Sequence, residues 1–184
     1  MKAKSVNSSN VIMSQIMMPQ DANPTGNVHG GVIMKHMDEA AGVVAIRHAG
    51  CNAVTASIDR LDFYNPVFVG NLLIIKASLN MVGRTSMEIG VRVETEDLVS
   101  GQIRHTASAY LTYVALDKDF RPKAVPPLRL TTEEERRRHK EAMARRKVRL
   151  EQKTKEKECK KINDSCDELE KPKEINGKPK YLSP

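Results

Sequence analysis

The sequence predicts an α+β fold in which one long helix is wrapped by a five-stranded antiparallel sheet. Three observations predict it. The segment Val32–His48 carries apolar residues at helical spacing and few charges. Four later segments run apolar or alternate, and only the turn residues Asn65-Pro66, Val82-Gly83 and Ser100-Gly101 separate them, as in strands joined hairpin by hairpin. From Thr131 onward the chain is charged and poor in apolar residues, so the core has to be complete before it.

Each element follows in chain order. Residues 1–9 are polar and read as a flexible N-terminus without the apolar stretch of a secretory signal. Lys2, Lys4, Ser5, Ser8 and Ser9, with no acid among them, leave a short transit peptide open. Asn10–Met18 is an apolar run stopped by Pro19, the first strand. Pro19–Gly31, with two prolines and three glycines, is a loop. In the helix, Ile33, Met37, Ala40, Ala41, Val44 and Ala45 recur at the required spacing, and Gly50 marks its stop. A helix with so little polar surface is expected to be enclosed on most sides. Ala53–Phe63, Val69–Val82, Arg84–Glu96 and Gln102–Leu116 are the remaining strands, and Tyr113 and Phe63 are expected in the core.

Pro122–Pro127 closes a domain spanning residues 10–130. In the tail, residues 131–184, Thr131 and Glu134 form a capping box for a solvated helix that reaches about Leu150. Prolines 172, 179 and 184 predict disorder beyond Lys171. The tail is expected to be dispensable for chemistry.

Charge is distributed unevenly. Residues 1–130 hold 13 basic and 11 acidic side chains, and residues 131–184 hold 17 and 12, so most of the net charge of +7 lies in the tail. The tail's arginines alternate with acids and lack interleaved aromatics, so nucleic acid is not an expected partner. Three cysteines, Cys51, Cys159 and Cys166, are too few and too far apart for a disulfide framework or a zinc site. Free thiols imply a reducing compartment, and the expected location is the cytoplasm. No apolar run is long enough to span a membrane.

The chemistry concentrates between Asp21 and Gly42. At about 100° per residue, Asp38 shares a helix face with Met34, Ala41, Gly42 and Ala45. An acid among small and apolar residues is either a buried group satisfied by backbone donors or a working carboxylate with room beside it for a ligand. Gly30-Gly31 opens the helix, where unpaired N–H groups and the positive end of the dipole favour an anion or a developing oxyanion. A tight turn would explain the same pair. Asn27 and His29 flank it. Asn27 can hold a water or a carbonyl oxygen, and His29 is a structural hydrogen-bonder or a base. The turn Gly83-Arg84-Thr85-Ser86 offers a guanidinium, two hydroxyls and a flexible backbone for phosphate. Asn65 is a weaker phosphate candidate.

The residues Asn27-Val-His-Gly-Gly31, Met37-Asp38-Glu39-Ala-Ala-Gly42, Val54-Thr-Ala-Ser-Ile-Asp59, Asp62-Phe63, Pro66, Ser86-Met-Glu-Ile89 and Thr112-Tyr-Val114 together resemble the hot-dog acyl-CoA hydrolases. The likeness is strongest to the cytosolic, brain-type acyl-CoA hydrolase and its bacterial YciA-like relatives, and runs from about Asn10 to Leu130. It implies a hot-dog fold, two such units paired edge to edge, and a dimer or a trimer of dimers. It also implies that Asp38 activates the hydrolytic water or attacks directly, and that Asn27 of the opposing subunit faces it. The brain-type enzyme splits these two groups between fused domains. Here one domain keeps both, which implies two equivalent sites in a homodimer.

On this reading an acyl-CoA thioester is hydrolysed to free fatty acid and CoA. The Gly31 or Gly30 amide stabilises the oxyanion, an effect of about 3–4 kcal/mol per good donor. The thiolate is a good leaving group, so no metal or cofactor is expected, CoA being part of substrate and product. The alternative is a non-catalytic acyl-CoA-binding module on the same fold.

Overall fold

The structure is a computed structural model that describes residues 1–169, with side chains as far as Glu156. Strands β1 (Lys4–Ser5), β2 (Val11–Ile16), β3 (Ala53–Phe63), β4 (Leu72–Val82), β5 (Ser86–Glu96), β6 (Ile103–Ala115) and β7 (Leu128–Arg129) accompany two helices, α1 (Gly30–Ala49) and α2 (Glu133–Leu169). Five strands form one antiparallel sheet in the order β2-β4-β5-β6-β3. It is the hot-dog sheet the sequence predicts. The sequence places all five of these strands to within three residues at each end.

Helix α1 lies against the inner face of this sheet and touches all five of its strands. Ile33, Met37, Ala40, Ala41, Val44 and Ala45 are each at most 3% exposed. Their spacing makes one continuous stripe, and the three alanines let the sheet approach the helix axis. Burying Ile33, Met37 or Val44 contributes about 1.5–3 kcal/mol each. The inner face of β5 supplies Met87, Ile89, Val91 and Val93 in strict alternation, all buried. Gly50 ends the helix in the left-handed region, at φ 66°, and its amide closes on the Ile46 carbonyl.

The N-terminus is not the loose segment expected from its polarity. β1 pairs in parallel with β7, and Val6 is buried. Lys4 Nζ donates to the carbonyls of Arg47 and His48 at the end of α1 (3.1 and 2.7 Å), where a cation complements the helix dipole. Strands of two residues are too short to carry a periodic signal.

Helix α2 also departs from expectation. Its cap lies one residue later than Thr131–Glu134: Thr132 Oγ1 accepts from the Glu135 amide, and Glu135 Oε2 accepts from the Thr132 amide. The helix continues to Leu169, where the sequence ends it near Leu150. The first compact unit runs from Met1 to Arg145 and so includes the opening turns of α2; the rest of the helix belongs to a second unit. Expected disorder beyond Lys171 lies outside the described residues, as do the side chains of Cys159 and Cys166.

Those opening turns rest on the outer face of the sheet. Ala142 is fully buried, and His139 meets the carbonyl of Asn80 at 3.1 Å. Arg145 forks onto Glu88, which is 0% exposed on β5, with Nη2 to Oε1 at 2.7 Å. The same guanidinium lies 3.6 Å from the centre of the Tyr110 ring. Removing one partner of a buried ion pair costs more than the pair's net worth. Arg145→Met is therefore expected to lower stability by about 2–3 kcal/mol, less than for a wholly buried pair because the arginine is partly exposed. Chemical denaturation measures it, and a loss below about 0.5 kcal/mol would mean the helix is held by apolar contact alone.

Candidate active site

Three groups of candidate residues occupy three stations along α1. At its N-terminus, Asn23, Asn27, Gly30, Phe63 and Asn65 line a cleft of 390 Å³. The loop before the helix is shaped by Asn23, whose Oδ1 accepts from the Thr25 amide (2.9 Å), the Thr25 hydroxyl (2.7 Å) and the Asn27 amide (3.2 Å). This is an Asx turn, which frees the Asn23 side-chain NH2 and the Asn27 side chain from any partner among the described residues. His29 is the N-cap: its Nδ1 accepts from the Gly31 amide at 3.0 Å. The helix therefore begins two residues earlier than its apolar pattern does. Of the two glycine amides predicted as oxyanion donors, Gly31's is occupied by His29 and Gly30's has no partner among the described residues.

Asn65 is held differently from the prediction. Its Nδ2 donates to the His105 carbonyl at 2.8 Å, tying the β3–β4 connection to β6. Phe63 is not in the core. It is 47% exposed, and its ring reaches within 3.6 Å of where a Cβ on Gly30 would stand. A bulkier residue at position 30 would press against this wall of the cleft.

The middle station is Asp38, half-buried on α1 about 12 Å along the helix from Gly30. Its Oδ1 accepts from the Thr55 hydroxyl at 2.6 Å and from the Tyr113 hydroxyl at 2.7 Å. Thr55 and Tyr113 face each other across β3 and β6. No hydrogen bond among the described residues reaches Oδ2. The acid is thus satisfied on one oxygen by two side chains and open on the other. Burial pushes the Tyr113 phenol well above the ordinary tyrosine range, helped by the neighbouring carboxylate. Tyr113 stays a protonated donor at any working pH. Sequence reasoning missed this role because an inward aromatic on a strand looks like core. The available signal was that a buried phenol needs a polar partner and Asp38 was the polar group facing inward.

The third station is the turn Gly83–Ser86, closed by the Gly83 amide on the Ser86 carbonyl at 2.7 Å. Ser86 pairs with Val114, next to Tyr113, so this turn adjoins the Asp38 station. It lies far from Asn65: His105 to Tyr113 spans about 27 Å of strand. Arg84 is exposed and has no ion pair among the described residues. The chain therefore joins Asn27, Gly30 and Asn65 at one end and Asp38 with the turn toward the other, and does not bring Asn27 to Asp38. No cluster of three His, Cys, Asp or Glu side chains with metal-binding geometry occurs among the described residues. No helix among them is long and apolar enough to cross a membrane.

Residues 25–101 match the family model of the thioesterase superfamily. YkhA of Bacillus subtilis, an uncharacterized acyl-CoA thioester hydrolase, is 35% identical over 74% of this chain and 80% of its own length. The chain belongs to the thioesterase superfamily. The structure of an apo-hexameric acyl-CoA thioesterase superposes on this thioesterase-superfamily chain with a TM-score of 0.80 at 37% identity, over 83% of this chain and 97% of that one. A Staphylococcus aureus acyl-CoA hydrolase, solved with butyryl coenzyme A, coenzyme A and coenzyme A disulfide, gives a TM-score of 0.80 at 31% identity, over 88% and 99%. That hydrolase has also been solved with an aspartate, an asparagine or a threonine replaced by alanine.

Proposed function

We propose that this chain hydrolyses acyl-CoA thioesters to a free fatty acid and CoA, with Asp38 as the base that activates water. The single observation behind this reading is the state of the Asp38 carboxylate, pinned through Oδ1 by Thr55 and Tyr113 and open at Oδ2. Water bound at Oδ2 loses its proton to Asp38 as it attacks the thioester carbon. The carbonyl oxygen takes the Gly30 amide, at the positive end of a helix. CoA's phosphates meet the turn Gly83–Ser86, where Arg84 is available. Asn65, already holding β6, drops out of that role.

The 12 Å between Gly30 and Asp38 is too long for one thioester group, so the two halves come from different subunits. The free edge strand β3 suits such pairing. Val54, Ile58 and Phe63 on it are 41–47% exposed, and Met34 and Ile46 on α1 extend the apolar surface. We infer a homodimer joined through β3, and a trimer of dimers like the hexameric neighbour. The free Cys51 thiol fits a cytoplasmic setting.

The spacing of residues replaced in the Staphylococcus aureus hydrolase refines the partner of Asp38. There the asparagine stands 15 residues before the aspartate and the threonine 17 after it. Here Asn23 stands 15 before Asp38 and Thr55 17 after, whereas Asn27 stands 11 before. We therefore assign to Asn23 the role the sequence reading gave Asn27. Its pinned Oδ1 leaves the NH2 as an oriented donor to water or carbonyl, and the Asn27 amide is one of the pins. The test is free-thiol release from acyl-CoAs of short to long chain. Turnover on at least one is expected; binding without turnover on all of them would favour the non-catalytic module.

A further inference from the structure

We propose that Tyr113 is a positioning residue for this hydrolysis, serving both protonation states of Asp38 from one fixed place. The proposal rests on the hydrolase reading. Its basis is a doubled acceptor. The Tyr113 hydroxyl lies 2.7 Å from Asp38 Oδ1 and also 2.7 Å from the Asp38 backbone carbonyl. A hydroxyl has one proton to give. While Asp38 is ionised, the proton goes to Oδ1, the stronger acceptor.

When water attacks, its proton moves to Oδ2 and Asp38 becomes a neutral acid. The phenol O–H then rotates to the backbone carbonyl, and no heavy atom moves. No proton is gained or lost by Tyr113 in this step. Without the second acceptor, the buried hydroxyl would face a weaker partner at the moment of attack. Tyr113 is 2% exposed, on a strand paired on both sides with β3 and β5, and its hydroxyl is held by two short contacts. Gly42, one turn beyond Asp38, leaves it room: a Cβ there would stand 3.5 Å from the hydroxyl. Thr55 complements the pair from the exposed side.

Tyr113→Phe deletes this one oxygen. Steady-state kinetics across pH should show kcat lowered about tenfold or more with KM within about twofold, because the lost contact acts on the base and not on substrate binding. A merely structural tyrosine would change the melting temperature and leave kcat of the folded protein in place. A folded variant with kcat within about twofold of wild type overturns the proposal. If Tyr113→Phe does not fold, 3-fluorotyrosine placed at position 113 keeps the ring and supplies a stronger donor that holds Asp38 Oδ1 more tightly, and kcat should fall by more than about twofold with KM unchanged; an unchanged kcat overturns the proposal. Asp38→Asn, run alongside, keeps the two readings apart. Loss there with no effect at Tyr113 rejects only the positioning role, and full activity there rejects the hydrolytic mechanism with it.

Discussion

Asp38→Asn should lower kcat on acyl-CoA by at least about 10²-fold while leaving the melting temperature nearly unchanged. The two halves of this expectation rest on different atoms. Asparagine keeps Oδ1, so Thr55 and Tyr113 still have their acceptor, and the helix keeps its place over the sheet. What disappears is the negative charge and basic Oδ2. An amide has no comparable affinity for a proton, so water is no longer activated. The substitution separates chemistry from packing better than Asp38→Ala, which would strand the Thr55 hydroxyl and leave Tyr113 only the backbone carbonyl. Thiol-release kinetics and thermal unfolding of the same preparation decide the matter. A folded variant within threefold of wild type would remove Asp38 from the mechanism.

The parts legible in the sequence are those written in apolar periodicity. Ile33 to Ala45 announced α1 because the stripe has to face the sheet, and Gly50 announced its end because the stop needs a positive φ. Ala53–Phe63 was readable to the residue, since turn chemistry bounds it on both sides. Contacts made by polar atoms were not legible. The opening turns of α2 dock through Arg145, His139 and one alanine, and a guanidinium on a tyrosine ring leaves no hydrophobic pattern. Glu88 is the matching case on the sheet: it alternates between Met87 and Ile89 as a solvent-facing residue would, yet Arg145 covers it.

The candidate site shows the same divide. Asp38 and Gly30 stood out as unusual residues on a buried helix, and the structure gives both a chemical opening. Tyr113 and Phe63 were both read as core by residue type alone; Tyr113 is buried there but carries a polar role, and Phe63 is exposed. One is a hydroxyl donor to the acid, and the other is a cleft wall. The choice between Asn23 and Asn27 could not be made from composition, because both are loop asparagines four residues apart. The proposed assignment turns on spacing from Asp38, which is 15 residues for Asn23 and 11 for Asn27.

Mixing two inactive variants tests the shared site directly. Asn23→Ala and Asp38→Ala are each expected to be inactive as homodimers, since every site then lacks one of the two groups. In a hybrid dimer the defects segregate. One site receives both altered residues and the other receives intact Asn23 from one subunit and intact Asp38 from its partner. Random exchange of equal amounts makes half of the dimers hybrid, so about a quarter of all sites are whole and activity should return to about a quarter of wild type. A site built within one subunit would give none, because each chain carries its own lesion. Exchange is verified with differently tagged subunits, and thiol release is followed as it proceeds. Running the same mixture with Asn27→Ala in place of Asn23→Ala discriminates the two asparagines. The residue that belongs to the site is inactive alone and rescued by mixing, while the other retains activity without its partner. If exchange is complete and neither mixture recovers, the pairing of Gly30 and Asp38 across β3 is wrong.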